Sequence, residues 1–446
     1  MVLTDTFSIR FCFLQDKLLF TNAVPEIQNP KFKTLNPIFY HLNCLINDTF
    51  VPAKAFRLMI NRYDSLGVSA SKDEIHDAIK ELDKGLFPNA FCKILPDLVA
   101  KESSYCNIIH ADTAGSKTSL AYLYWKETGD LSVWKNIAQD ALVMNIDDMA
   151  CVGAYTDIVI SSTIGRNKHL IPKEIIKTLI ASSNDILQQL TSYGISIISG
   201  GGETADVGDI VRTIDVGITA FSRMPQEKVI PINIKPRSVI VGFASYGQTT
   251  YENKYNSGIG SNGLTAARHD VLNKHYLQHY PESCSPETLD EYKYTGRYRL
   301  TDHYNHKDKN YIVGDLLLSP TRTYLPVLKE IIDQHRSQIQ GIIHCTGGAQ
   351  TKVKKFINKV KIIKNNLFEL PPVFELIREC TLCSDHEMYQ VYNMGHRLEI
   401  YTDEKTAVQM IDIAAKFNLD AKIIGHVESS ENEDIHIQSF MGSFNY

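Results

Sequence analysis

The chain has 446 residues, with 46 Lys and Arg against 51 Asp and Glu, a formal net charge of −5. Its 43% hydrophobic and 22% charged content is that of an ordinary soluble globular protein with room for two or three domains. No overall basic field favours nucleic acid, and no window approaches the roughly 18 apolar residues of a membrane span. The nine cysteines are odd in number and irregular in spacing, which suits reduced thiols in a cytoplasmic protein. Cys380 and Cys383 make a C-x-x-C with His386 nearby. A four-ligand zinc site needs a second such pair, so they read as two thiols near a helix end.

Residues 1–58 lack a sustained hydrophobic period and any clear signal-peptide layout, and read as an extension outside the working fold, from an upstream start of translation. A helix is predicted over 71–84, with Ser71 as N-cap, Ile75, Ile79 and Leu82 on one face, and Gly85 as its stop. Asn107–Ala111 reads as a strand that delivers Asp112-Thr113-Ala114-Gly115-Ser116-Lys117. An acid, a flexible centre, a hydroxyl and a lysine at a strand end suit Mg²⁺ and phosphate, although the run is not a Walker A loop. From these six residues alone a surface turn with a solvated Lys117 is the favoured reading.

Residues 134–150 form a helix in which Asn145, Asp147 and Asp148 interrupt an apolar pattern, a costly placement unless they are solvated, paired or metal-bound. A strand over 159–164 and an amphipathic helix over 172–193 follow. Ile195–Ile198 is a further short strand, and it runs into Ser199-Gly200-Gly201-Gly202-Glu203-Thr204-Ala205-Asp206. Three bare glycines followed by acids predict a turn that either approaches a Mg²⁺-bound phosphate or simply joins two strands. A strand over 214–221 closes this half, and Pro225, Pro231 and Pro236 mark the boundary.

The second half opens with a buried strand over 238–244. Ser257-Gly258-Ile259-Gly260-Ser261-Asn262-Gly263 then precedes a helix over 264–276, a layout for anion binding or for ordinary capping. Residues 280–312 read as an irregular, Tyr- and His-rich insertion. A helix near Pro326, a strand over 342–349 ending in a Gly pair, and a basic helix with Lys352, Lys354 and Lys355 on a solvated face come next. Helices over 372–380 and 405–417 and a strand over 422–428 end the fold.

In series, these runs resemble the motifs of aminoimidazole ribonucleotide synthetase, also called phosphoribosylformylglycinamidine cyclo-ligase. Its D-G-x-G-T-K resembles Asp112–Lys117, its N-D-I resembles Asp147-Asp148-Met149, and its G-G-E-T-A matches Gly201–Ala205. Its S-G-x-H-S-N-G resembles Ser257–Gly263 and its L-T-P-T-R resembles Leu318–Arg322. Its H-x-T-G-G matches His344–Gly348, and its P-x-x-F and E-M-x-x-x-F-N-M-G resemble Pro371–Phe374 and Glu387–Gly395. The order holds from about residue 62 to residue 428. Three positions depart: Asp147 stands for asparagine, Gly260 for histidine and Ala349 for a third glycine.

The resemblance implies an α+β fold of two domains, an ATP-binding one over 59–224 and a substrate-binding one over 236–430. It implies a cytoplasmic homodimer whose N-terminal halves join strands across the interface. The implied activity is ATP- and Mg²⁺-dependent ring closure of a small ribonucleotide in purine synthesis, with no nucleic-acid or membrane partner. Lys117, Asp148 and Glu203 are the implied catalytic residues. Asp112, Gly115, Ser116, Lys117, Gly201, Gly202 and Thr204 would bind ATP, and Asp112, Asp147, Asp148 and Glu203 the metal. Ser261, Asn262, Gly263, Thr346, Gly347 and Gly348 would hold the substrate or its phosphate. His269 and His396 are the residues available to stand in for the histidine absent at position 260. The other readings are selenophosphate synthetase or thiamine-monophosphate kinase of the same superfamily, and a nucleotide-binding homologue without turnover. The chain lacks the glycine-rich N-terminal cysteine loop of the first, and the second lacks the S-N-G, P-T-R and N-M-G series in this form.

Overall fold

Among the described residues, two large mixed sheets, each faced by helices, organise the fold. The structure is a computed structural model, and it describes residues 65–68, 78 and 80–446. The expected extension over 1–58 and most of the helix expected over 71–84 lie outside the described residues. Of that helix, Ala78 is helical and the backbone has left the helix by Asp83.

The first sheet holds β1 (Ile94–Pro96), β2 (Tyr105–Thr113), β3 (Ile158–Arg166), β4 (Ile197–Asp206) and β5 (Ile214–Pro225), in the order β1-β2-β5-β3-β4. Only β3 and β4 run parallel within it, and the long helix α3 (Lys173–Thr191) connects them, as a parallel pair requires. Helix α3 is amphipathic and buries Ile175, Leu179, Leu187 and Leu190. Helices α1 (Lys117–Thr128) and α2 (Val133–Ala150) precede it. Almost the whole of α2 is buried, which makes it the central helix among the described residues. Burial of its Asp140, Asn145, Asp147 and Asp148 requires a partner for each, and the partners of Asp140, Asp147 and Asp148 include residues of the second half.

The triple glycine is not a turn. Residues 197–206 form one continuous edge strand, and the pairing of β3 with β4 slips between Ile160 and Ser162. Gly201 takes up this bulge at φ +93. A Cβ on Gly202 would stand 2.2 Å from Ser162 Oγ, so close strand approach accounts for that glycine.

In the second half, α4 (Leu264–Val271) and α5 (His275–His279) replace the single helix expected over 264–276. A hairpin of β7 (His303–His306) and β8 (Lys309–Ile312) lies inside the stretch expected to be irregular. The second sheet has the order β14-β13-β10-β12-β6-β11-β9. Its strands are β6 (Val239–Ala244), β9 (Gly341–His344), β10 (Val360–Lys364), β11 (His396–Thr402), β12 (Ala421–Ser429), β13 (Asp434–Ser439) and β14 (Gly442–Asn445). Helices α6 (Val313–Leu318), α7 (Leu325–His335), α8 (Pro372–Cys380), α9 (Asp385–Val391) and α10 (Glu404–Lys416) complete this half. The basic stretch after β9 is a 3₁₀ segment, Ala349–Phe356. The α+β class is as expected. No helix among the described residues is long and apolar enough to cross a membrane.

Candidate active site at the junction of the two halves

The last turns of α2 bring Asn145 and Asp148 between β2 of one half and β9 of the other. On β2, His110 and Asp112 alternate onto the face that packs against α2. His110 Nδ1 lies 3.0 Å from Asn145 Oδ1, and its Nε2 lies 3.5 Å from Asp148 Oδ2. Asn145 Nδ2 also donates to the Asp112 carbonyl at 3.3 Å. On the other side, His344 Nδ1 donates to Asp148 Oδ1 at 2.6 Å. Arg397 Nε, from β11, donates to His344 Nε2 at 3.0 Å. An arginine only donates, so His344 Nε2 accepts and its proton is on Nδ1. Burial lowers the His344 pKa to about 4, against the pull of Asp148. Burial works to raise the Asp148 carboxyl, but Lys352, His344 and His110 together hold it below the usual carboxylate value.

Beside this line, two helix starts meet. Thr265 Oγ1 in the first turn of α4 donates to Ser116 Oγ at the start of α1, at 2.8 Å. Neither Ser116 nor Gly263 caps its helix through a side chain; in α1 the Thr118 and Ser119 N–H groups turn back to the Gly115 and Ser116 carbonyls, and both positive dipole ends lie in one region. Gly115, Ser116, Ser261 and Asn262 are half-buried there, and Ser261 Oγ lies 3.0 Å from Thr321 Oγ1. Thr346, Gly347 and Gly348 follow β9 directly after His344, and Lys352 Nζ donates to the Thr346 hydroxyl.

The structure corrects three of the expected roles. Lys117 is fully buried, and its three N–H donors go to Asp140 Oδ1 at 2.9 Å, Gly260 O at 3.0 Å and Ser319 O. It has no donor left for a phosphate and acts as a strut between the halves. Asp147 is also fully buried, and it accepts from Thr323 Oγ1 at 2.7 Å and the Tyr324 N–H at 2.9 Å, one bond on each oxygen. Burial pushes its pKa up to about 7, and it joins α2 to the start of α7 instead of facing a metal. Glu203 is exposed on the edge strand. Thr113 pairs with Gly217, Gly217 with Thr163, and Thr163 with Glu203. Three strand spacings, ~14 Å, therefore separate Glu203 from the neighbour of Asp112. Mg²⁺ holds oxygen ligands at about 2.1 Å, so Glu203 cannot share one ion with Asp112 inside a single chain. Gly201, Gly202 and Thr204 go with it and line a separate crevice of about 200 Å³ between β4 and helices α2 and α3.

Sequence reasoning missed His110, Asn145 and Arg397 as site residues, and placed Lys352 on a solvated face. His110 stands two residues before Asp112, which is the signal that strand alternation offered. Neither proposed stand-in for the histidine absent at position 260 serves. His269 is buried against Tyr294, whose N–H donates to its Nδ1 at 3.2 Å, and His396 is buried against Glu399 at 3.0 Å.

Residues 96–224 match the family model described as AIR synthase related protein, N-terminal domain, and residues 236–438 match the C-terminal domain of the same family. The chain belongs to the AIR synthase related family. A curated relative from Methanocaldococcus jannaschii, named phosphoribosylformylglycinamidine cyclo-ligase, is 28% identical over 328 residues, 73% of this chain and 79% of its own length. A relative of the same name from Methanococcus maripaludis is 26% identical over 367 residues, 81% of this chain and 87% of its own. These relatives are enzymes of the ligase class by name. Among solved structures, T. maritima PurL complexed with FGAR superposes at a TM-score of 0.50 with 13% identity, over 86% of this chain. The match spans 51% of that PurL chain, about half its length, and shows a shared fold.

Proposed function

We propose that this enzyme closes the ring of formylglycinamidine ribonucleotide to aminoimidazole ribonucleotide, with release of ADP and phosphate. The observation that carries this reading is the line His110–Asp148–His344 across the two halves, alongside two uncapped helix starts. In the proposed reaction the formyl-derived amide oxygen attacks the γ-phosphorus of ATP and ADP leaves. The neighbouring amidine nitrogen then attacks the activated carbon, and the C–O bond breaks to release phosphate. A poor leaving group becomes a good one, and the task left to the protein is positioning and charge neutralisation.

The half over 59–224 is proposed to bind ATP and the half over 236–430 the ribonucleotide. Ser116, with Ser261, Asn262 and Gly263 opposite, would offer backbone N–H groups to phosphate oxygens, while the Gly115 N–H is held by the Thr113 hydroxyl at 3.1 Å. Thr346, Gly347 and Gly348 would hold the substrate beside His344. Asp112 and Asp148 are the carboxylates near this region, and one or two carboxylates completed by phosphate oxygens fit Mg²⁺, which would screen phosphate charge there.

A homodimer is part of the proposal. Ile109, Phe221, Val159 and Ile198 form one row across β2, β5, β3 and β4 by direct pairing. Ile109 is 55% exposed, Val159 44% and Ile198 62%, an apolar band on the sheet face away from α2 and α3. A second copy covering this band would give the strand contact across halves that the family resemblance implies.

Purified protein with ATP, Mg²⁺ and formylglycinamidine ribonucleotide is expected to form aminoimidazole ribonucleotide with equal amounts of ADP and phosphate. ATP binding without product would overturn the assignment in favour of a binding homologue, the reading that the buried Lys117 and the glycine at 260 support.

A further inference from the structure

Gly260 stands where the resembling motif has a histidine, and the structure shows what fills the space. Its φ is +71, a region that disfavours other residues, and a Cβ built there would lie 3.0 Å from Arg397 Nη1. Arg397 is 2% exposed and uses its other nitrogens inward. Nε donates to His344 Nε2, and Nη2 donates to the Arg322 carbonyl, while the guanidinium sits 5.6 Å from the centre of the Tyr324 ring. The guanidinium is planar and rigid, so these contacts fix the imidazole of His344 as well as the arginine.

We propose that Arg397 is a positioning residue for the reaction proposed above, acting through His344 on Asp148, and that the glycine at 260 is what makes room for it. Because Arg397 can only donate, it locks His344 in the Nδ1–H tautomer. That tautomer presents its single proton to Asp148 Oδ1. The other oxygen, Oδ2, is thereby left toward His110. Without the guanidinium, His344 is free to carry its proton on Nε2, and the hydrogen bond that orients Asp148 is lost. Hydrogen-bond partners one step behind the reacting groups hold geometry in this way, and their loss typically costs about 10–100-fold in activity.

The inference rests on the proposed function for its kinetic arm and on the protein alone for its spectroscopic arm. Arg397→Met and Arg397→Lys are prepared in the full chain, and the His344 imidazole is read by long-range ¹H–¹⁵N correlation. Wild type is expected in the Nδ1–H form, Arg397→Met in a mixture of tautomers, and Arg397→Lys nearer wild type because one donor remains. In the cyclisation assay Arg397→Met is expected to lose about 10–100-fold in kcat, with little change in KM for ATP and with partial recovery in Arg397→Lys. An Nε2–H form of His344 in wild type overturns the proposal, a result that does not depend on whether either variant folds. So does an unchanged tautomer and kcat in Arg397→Met, or a kcat loss that merely follows a loss of folded protein. Wild type without cyclisation but with the Nδ1–H form and its loss in Arg397→Met fails the proposed reaction and leaves the positioning role standing.

Discussion

Lys117 separates two accounts of this molecule, because a phosphate-binding lysine and a buried strut respond differently to Lys117→Met. The ammonium is fully buried and donates to Asp140, to Gly260 O and to Ser319 O. Removing it strands Asp140, whose Oδ1 then keeps only the Thr321 N–H at 2.7 Å and the Thr321 hydroxyl at 2.6 Å. Breaking a buried pair from one side costs about 3–5 kcal/mol, a large share of the roughly 5–15 kcal/mol of a typical domain. Urea unfolding followed by Trp134 fluorescence and far-UV circular dichroism reads this directly, since Trp134 is buried in the same helix as Asp140. The double variant Lys117→Met/Asp140→Leu removes both charges. It should be less destabilised than the sum of the single variants, by about 0.5–3 kcal/mol, leaving mainly the unsatisfied Thr321 donors. A Lys117→Met protein of wild-type stability that has lost only ATP affinity would refute the strut.

Glu399 gives the clearest pH dependence. Burial works to raise its carboxyl, yet Lys364 and His396 hold it at about 2, below the ordinary 4.5. The unfolded chain therefore binds the extra proton between those values, so this contribution is complete above about pH 4.5 and is lost as the pH falls toward 2. Glu399→Gln should be less stable at pH 7, because it strands Lys364, and should lose up to ~3 kcal/mol less than wild type across that window in acid titrations. Gly202→Ala places a methyl 2.2 Å from Ser162 Oγ and 2.3 Å from its carbonyl oxygen, and thermal melting should show a loss of about 1–3 kcal/mol; an unchanged melt would mean that β4 is free to move off β3. Ile198→Asp lies on an exposed position and should change stability by no more than about 0.5 kcal/mol, while analytical ultracentrifugation shows the proposed dimer dissociated; a persistent dimer would move the interface elsewhere.

The elements that the sequence made legible are those whose own periodicity is strong. Helix α3 shows an apolar stripe at helical spacing, and β6 is a short apolar run, so both could be read locally. Strand β11 could not. His-Arg-Leu-Glu-Ile-Tyr-Thr alternates like an exposed strand, yet every residue of it is buried in the second sheet. Its polar side chains are tolerated because partners arrive from distant segments: His344 for Arg397, and Lys364 for Glu399. The run Gly200–Gly202 misled in the opposite sense, since consecutive glycines that signal a turn here relieve a bulge and a close strand contact.

By itself the sequence determined the family and the α+β class, and it pointed to Asp148 and His344 among the polar residues of the site, because ordered motifs and hydrophobic period are properties of the chain. It also flagged α2, where acids on an apolar helix are costly unless solvated, paired or metal-bound. Only the tertiary structure decided how they pair. Asp148 meets His110 and His344 in the candidate site, whereas Asp147 one residue away turns to Thr323 and Tyr324. Successive residues on a helix point about 100° apart, so neighbours in sequence face different partners, and the direction each one faces is set by packing between halves that no local pattern records.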